Sequence, residues 1–326
     1  MCVNVLKLFL ILLLGHMIAD FVIQTKYMNQ NKRIFTHSLY SKGLLFHCIH
    51  HLVLSFLLCL IFMEWQSNIL PIIVIIMALH YIIDLVKIKL ENSIIPSFRS
   101  KQWVKKYWFH HLFEKNTTYF IFDQLLHGLS IYLVLALFHA HPSGNEIYSL
   151  FKTISIEGQM LAGDMRLIVL GILFILLTYT SAYLIAAIMS DLQEQKVNDE
   201  IASTLDFQDE NMEKFKEEIH LAKTDIVINE SYQAKDDNYT IQLQYQKYSN
   251  TSESSRGKYI GILERILIAI FVVQNLSQGL AFLIAMKTLT RFKQFEDKDF
   301  AEYYLIGTLL SLIIGIAVAW VIHLNL

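Results

Sequence analysis

Four stretches of this sequence each hold two residues, four positions apart, drawn from histidine and aspartate alone. They are His16 and Asp20 in LFLILLLGHMIADFVIQ, His47 and His51 in a second apolar run, His80 and Asp84 in a third, and Asp123 and His127 in a fourth. Positions i and i+4 share one face of a helix, so each stretch presents its two groups side by side. Imidazole nitrogens with carboxylate oxygens are the donor set expected for Zn²⁺, Fe²⁺ or Mn²⁺. A divalent ion in such a set lowers the pKa of a bound water toward neutrality, which suits attack on an ester or phosphodiester. The same groups also suit a proton relay. A third reading needs no chemistry: hydrogen bonds between His and Asp hold membrane bundles together at roughly 0.6–2 kcal/mol each.

The segments that carry these pairs belong in a membrane. Of 326 residues 54% are hydrophobic and only 17% charged, and the mean hydropathy is +0.42. Soluble domains run nearer one-quarter charged. Seven runs approach the roughly 20 apolar residues that cross a bilayer: 3–23, 44–63, 69–89, 118–139, 165–189, 260–286 and 302–323. They are continuously apolar, without the alternation of a strand-based barrel, so the expected fold is all-α, a polytopic transmembrane helical bundle of about seven spans with a small cytoplasmic insertion. The first run lacks the basic start and small-residue cleavage site of a signal peptide and is read as a retained span.

Loop charge orients the spans. Lys26, Lys32, Arg33 and Lys42 follow the first without an acid, and Arg99, Lys101, Lys105, Lys106 and Lys115 follow the third against Glu91 and Glu114. Both loops are expected in the cytoplasm, which puts the N-terminus outside and, with seven spans, the C-terminus inside. In that orientation all eight His and Asp residues of the four pairs lie at one depth, roughly 4–14 Å from the cytoplasmic boundary at 1.5 Å per residue. An ionisable group near the bilayer centre costs about 2.5–3.5 kcal/mol, less toward the boundary. Eight of them in one layer imply mutual satisfaction or a bound ion. The candidate metal ligands are therefore His16, Asp20, His47, His51, His80, Asp84, Asp123 and His127, and the candidate cofactor is a divalent Zn, Fe or Mn ion.

Other polar residues read differently. His110 and His111 lie in KQWVKKYWFHHLF, a basic, aromatic stretch expected to form an interfacial helix with Trp103 and Trp108 at headgroup level. His37 in RIFTHS is close enough in sequence to support the layer, while His139, His141 and His323 read as interfacial or external. In the last two spans Glu264, Arg265, Gln274, Asn275 and Gln278, then Gly307, Thr308 and Ser311, suit helix packing and hydrogen bonding. No glycine-rich phosphate loop and no nucleophile elbow occur, which weighs against an ATPase or a serine hydrolase. None of the three prolines, Pro71, Pro96 and Pro142, is mid-span, so the broken helices of many transporters are not evident.

Residues 191–256 differ in kind, with 15 Asp/Glu against 7 Lys/Arg, a net of −8. A helix-prone segment is followed by TDIVINES and NYTIQLQYQKY, whose alternation suits two half-buried strands, and then by the polar linker KYSNTSESSRGK. This gives a division into 1–140, a four-span region with the His/Asp layer; 141–190, an external loop and fifth span; 191–256, the acidic cytoplasmic insertion; and 257–326, a two-span C-terminal region.

HMIADFVIQT, ALHYIIDLVK, FDQLLHGL, IGILERIL, AFLIAMKTLTRF and AEYYLIGTLLS, in that order, resemble the bacterial membrane-protein family known as domain of unknown function 3307. That resemblance implies a multi-pass protein of the inner (cytoplasmic) membrane and no particular reaction; the long acidic insertion departs from the family pattern. RIFTHS beside intramembrane His and Asp is also similar to membrane-bound metal-dependent hydrolases. Three functions follow: a metal site at the cytoplasmic leaflet serving hydrolysis, a proton-coupled carrier or channel using the same layer, or a non-catalytic sensor or scaffold whose insertion binds a soluble cytoplasmic partner. The expected partners are the lipid bilayer and that protein, and with a net charge of −2 nothing points to direct nucleic acid binding.

Overall fold

The computed structural model describes residues 5–34, 40–64, 66–89, 116–138, 141–154, 163–204 and 253–326, without the side chains of Lys26, 193–204 and 253–256. In hydrocarbon no water satisfies backbone polar groups, so runs of Leu, Ile, Val and Phe bond within their own segments. The elements are accordingly α1 (Val5–Met17), running on into a π-helical turn (Ile18–Ile23), α2 (Lys26–Lys32), α3 (Lys42–Phe62), α4 (Ile69–Lys89), α5 (Asn116–Leu137) and α6 (Gly144–Lys152). Then come α7 (Gly163–Ile175), a second π-helical turn (Leu176–Thr180), α8 (Ser181–Thr204), α9 (Glu253–Val273), α10 (Ser277–Thr290) and α11 (Lys298–Leu324). Among the described residues no strand occurs. The expected strands in 224–248, the interfacial helix at 101–113, and His37 and His139 lie outside the described residues.

The chain divides into two compact units, Met1–Gln193 with Ile260–Leu326, and Glu194–Tyr259. In the second, the described parts are the end of α8 and the first turns of α9. In the first, α1 is the central helix, packed on α3, α5 and α7, while α4 bridges α3 and α5. Its lipid-type pattern is apolar outward: Phe46, Ile49, Val53 and Ile61 of α3, and Ile121, Leu125 and Leu133 of α5, are exposed.

Among the described residues six helices are long and apolar enough to span a membrane: Val5–Ile23, Lys42–Phe62, Ile69–Lys89, Asn116–Leu137, Gly163–Leu192 and Lys298–Leu324. The run 260–286, expected as a seventh span, is broken. Helix α9 ends at Val273, Asn275 takes a left-handed φ of 57°, and α10 turns back. Asparagine is among the few residues that visit this region readily. The Lys287 Nζ to Glu264 Oε2 contact of 2.7 Å and the close approach of Gly279 to the Phe271 ring show that α9 and α10 run antiparallel as a hairpin. A Cβ at Gly279 would stand 2.7 Å from that ring, so the hairpin closes only over glycine.

This break corrects the expected side of the C-terminus. The hairpin returns the chain to the end where α9 enters, and α11 then crosses to the opposite end. There Arg166 donates to the carbonyls of Asn325, at 3.0 Å, and Leu326, and Asn325 Nδ2 donates to Ile154 O at 3.0 Å. The C-terminus thus lies beside the start of α7, at the end the loop charges assign to the outside. Lys7, bound to Asp164 at 2.8 Å, lies at this end too.

The bundle is apolar at one end and polar at the other. Leu8, Ile11 and Leu12 of α1, Ile72, Ile73 and Ile76 of α4, Val134 and Leu135 of α5, and Ile168 of α7 form the dry core. They come from the first halves of α1, α4 and α7 and the second half of α5, hence from the end nearest both termini. The paired His and Asp residues occupy the other half.

Candidate metal centre

Helical periodicity aims each pair inward, and the local backbone sharpens the aim. The π-helical turn begins at Ile18, between His16 and Asp20, and carries the aspartate; an extra residue in a turn of this kind is common at functional sites. His16 Nε2 still stands 3.4 Å from Asp20 Oδ2. On α3, His47 and His51 face Asp20 across the helix interface, with Nε2 atoms 3.1 and 3.2 Å from Asp20 Oδ1. The two Nε2 atoms are 3.1 Å from each other. His80 on α4 completes the group: its ring centroid lies 4.1 Å from that of His51, and one ligand atom from each of Asp20, His47, His51 and His80 falls within a 4.8 Å sphere of mutual distances.

A second group shares His80. Asp84 and His127 each bring a ligand atom within the same 4.8 Å limit, with Asp84 Oδ1 3.7 Å from His127 Nε2 and Asp84 Oδ2 3.7 Å from His47 Nε2. His16 sits between the groups, its ring 4.8 Å from that of His127 and 5.3 Å from those of His51 and His80.

Of the eight sequence candidates, seven meet in this cluster. Asp123 lies outside the two groups. Its Oδ2 accepts from Lys87 Nζ at 2.8 Å, its Oδ1 stands 3.7 Å from His127 Nδ1, and its main-chain carbonyl accepts from His127 Nδ1 at 2.8 Å. That bond fixes the proton of a neutral His127 on Nδ1 and leaves the Nε2 lone pair facing Asp84, the tautomer expected of a ligating histidine. His50, beside the pair on α3, bonds Phe46 O at 2.7 Å and takes no part.

Sequence reasoning missed Lys32, which it counted only as loop charge. Thr25 and Ser41 cap α2 and α3 through Met28 N and Leu44 N, and Ser41 Oγ also donates to Asn31 O at 3.3 Å. At Gly43 a Cβ would stand 2.3 Å from the Asn31 carbonyl carbon. Only glycine lets α2 lie this close across the start of α3. The consequence is that Lys32, 8% exposed, places Nζ 3.0 Å from Asp84 Oδ2. No motif signals this; the contact depends on a tertiary fold-back.

The electrostatics then single out one carboxylate. Asp84 has Lys32 and Asp123 has Lys87. Among the described side chains Asp20 meets no lysine or arginine, only imidazoles. The near-equilateral triangle of Asp20 Oδ1, His47 Nε2 and His51 Nε2 is poor as a hydrogen-bond set, because two N–H groups aimed at one oxygen across a 3.1 Å gap crowd their protons. As a ligand set it fits: bonds of about 2.0–2.2 Å at tetrahedral angles separate ligand atoms by roughly 3.3–3.6 Å. Among the described residues, five imidazole nitrogens here, His16 Nε2, His47 Nδ1, His51 Nδ1, His80 Nε2 and His127 Nε2, are buried without a hydrogen-bond partner. Buried polar groups ordinarily find one.

Residues 8–155 match the model of the family described as "Protein of unknown function (DUF3307)". The matched stretch contains all seven clustered residues together with Lys32, Lys87 and Asp123; the resembling blocks IGILERIL, AFLIAMKTLTRF and AEYYLIGTLLS fall beyond it. No curated protein and no solved structure matches the chain.

Proposed function

We propose that the protein holds one divalent Zn, Fe or Mn ion at Asp20, His47, His51 and His80 and is a metal-dependent hydrolase of the membrane. The observation that carries this reading is the triangle of Asp20 Oδ1 with two imidazole nitrogens at 3.1–3.2 Å, in which the carboxylate has no other cationic partner among the described side chains. The neighbouring group at Asp84 and His127 is the weaker ion site because Lys32 already balances Asp84. The ion supplies a nucleophilic water at neutral pH. The chain's own part is to orient and to accept protons: His16, its Nε2 3.4 Å from Asp20 Oδ2 and without a hydrogen-bond partner among the described residues, and His127, held by its Nδ1 bond, both present a nitrogen to the cluster. The inner half of the bundle, the cytoplasmic half by loop charge, carries the site, consistent with the inner membrane.

A proton-coupled carrier is the second reading, favoured by one observation, the discontinuous helix at Gln274–Leu276. Thermal unfolding in detergent separates the two. An ion that binds only the folded chain stabilises it by mass action, so a strong chelator lowers the midpoint and Zn²⁺, Mn²⁺ or Fe²⁺ restores it. A midpoint indifferent to chelator and to all three ions contradicts the metal reading.

A further inference from the structure

Beside the centre, α4 and α5 part to leave a lateral cavity of about 230 Å³. Its walls are apolar, including Ile82, Val86, Phe122 and Leu126, and its polar end is the Lys87–Asp123 pair. Ile82, Val86 and Phe122 are about half exposed, so the cavity opens sideways into the bilayer rather than toward water. A volume below the roughly 300–1,000 Å³ of sites that bury a whole small molecule suits a stretch of hydrocarbon chain.

Two observations say which lipid. The pair at the polar end presents its cation outward: the Lys87 side chain is 32% exposed and that of Asp123 is 9%. Further positive charge follows at Lys89, in the same last turn of α4 as Lys87. This end therefore favours an anionic headgroup over a neutral one. The cavity is linked to the centre along the chain and through one main-chain hydrogen bond. Asp123 lines the cavity and holds His127 through its carbonyl, and Ile83, another wall residue, precedes Asp84 in the chain.

We propose that this cavity seats one hydrocarbon chain of a phosphate-bearing membrane lipid, with the phosphate beside Lys87, and that such lipids are the substrate class of the centre. The second half of the proposal rests on the metal reading. In the hydrolysis the oxygen of water bonds to phosphorus and the phosphorus–oxygen bond to the lipid alcohol breaks. The alcohol oxygen leaves with the electron pair and takes a proton, and an imidazole of the cluster accepts the proton lost by water. Water is the only co-reactant.

The test uses the full chain in nanodiscs of zwitterionic phosphatidylcholine doped with phosphatidic acid or, in a parallel set, with diacylglycerol, which keeps the chains and lacks the phosphate. Retention of each lipid is read by native mass spectrometry. Phosphatidic acid should be retained at least tenfold over diacylglycerol, and the preference should drop at least fivefold in Leu126→Trp, which fills the cavity, and in Lys87→Gln, which removes the cation. Both variants should keep the parent's metal content and stay monodisperse and helical, although Lys87→Gln lowers the midpoint by leaving the Asp123 carboxylate unpaired. Equal retention of the two lipids, or a preference unchanged in both variants, overturns the proposal. The parent's own ion content distinguishes its failure from that of the metal reading: lipid preference kept while no ion is found in the parent leaves the cavity standing and removes the hydrolysis.

Discussion

Arg265 and Asp20 are both charged side chains inside the helical bundle, and they are compensated in opposite ways. Arg265, 2% exposed, donates Nε to Leu177 O at 2.7 Å, Nη2 to Thr178 O at 2.9 Å and Nη1 to Ser311 Oγ at 3.2 Å. Two of its three acceptors, the carbonyls of Leu177 and Thr178, belong to the π-helical turn Leu176–Thr180, whose irregular ladder leaves carbonyls turned toward a neighbouring helix. Asp20 also sits on a π-helical turn, yet its surroundings are imidazoles, several with nitrogens that bond to nothing among the described residues. One site uses fixed protein donors to satisfy its irregular turn. The other assembles acceptors and lone pairs in excess of the protons available. A buried charge whose bonds are complete is explained by structure alone; a buried set with bonds to spare points to something added.

The contrast is sharpest under substitution. Arg265→Met keeps the volume and orphans two main-chain carbonyls and a hydroxyl, so it should cost roughly 3 kcal/mol or more. The folded fraction should nevertheless keep its full ion content, measured by elemental analysis beside a thermal scan; loss of metal in proportion to the ligand variants would dissolve the distinction. His51→Ala and Asp20→Asn should show the reverse, an ion content below about a tenth of the parent. Asn is nearly isosteric with Asp and still hydrogen-bonds, so Asp20→Asn should lower the midpoint less than chelation lowers the parent's. A larger drop would mean that Asp20 is chiefly a structural hydrogen-bond acceptor.

Lys32→Met removes the cation that balances Asp84. The buried carboxylate should then depend on the ion, and the chelator-induced fall in midpoint should exceed the parent's; an unchanged fall would show that Asp84 and the Asp20 site are uncoupled. The smallest effect is expected at Asp123→Asn. Its Oδ2 accepts from Lys87, and it meets His127 only at Nδ1, the nitrogen its main-chain carbonyl already holds, so ion content should stay within about twofold of the parent. A tenfold loss there would place Asp123 among the ligands after all.

The sequence was most legible where one helix decides the geometry. The i, i+4 spacing and common depth of the four pairs depend only on helical rise and span direction, and the structure brings His16, Asp20, His47, His51, His80, Asp84 and His127 together. Asp123 carries the same spacing, but its side chain had two polar directions available and Lys87, one turn beyond Asp84, took it. Lys32 was illegible because its contact spans 52 positions and depends on a fold-back over Gly43. The hairpin at 274–276 was hidden by hydropathy, which averages over a three-residue break. Gln274, Asn275, Ser277 and Gln278 inside an otherwise apolar run were the available signal. Missing that break also reversed the expected side of the C-terminus.

The most direct test of the central claim is the metal content of the purified protein. The chain is produced with Zn, Fe and Mn supplied, purified in detergent without chelator, and analysed for elements per folded chain beside His51→Ala. The account predicts about one divalent ion per parent chain and less than a tenth of one in the variant, with both monodisperse and helical. A parent that is equally well folded and carries no stoichiometric ion from any of the three supplies would contradict it, leaving the His/Asp cluster as hydrogen bonds between helices.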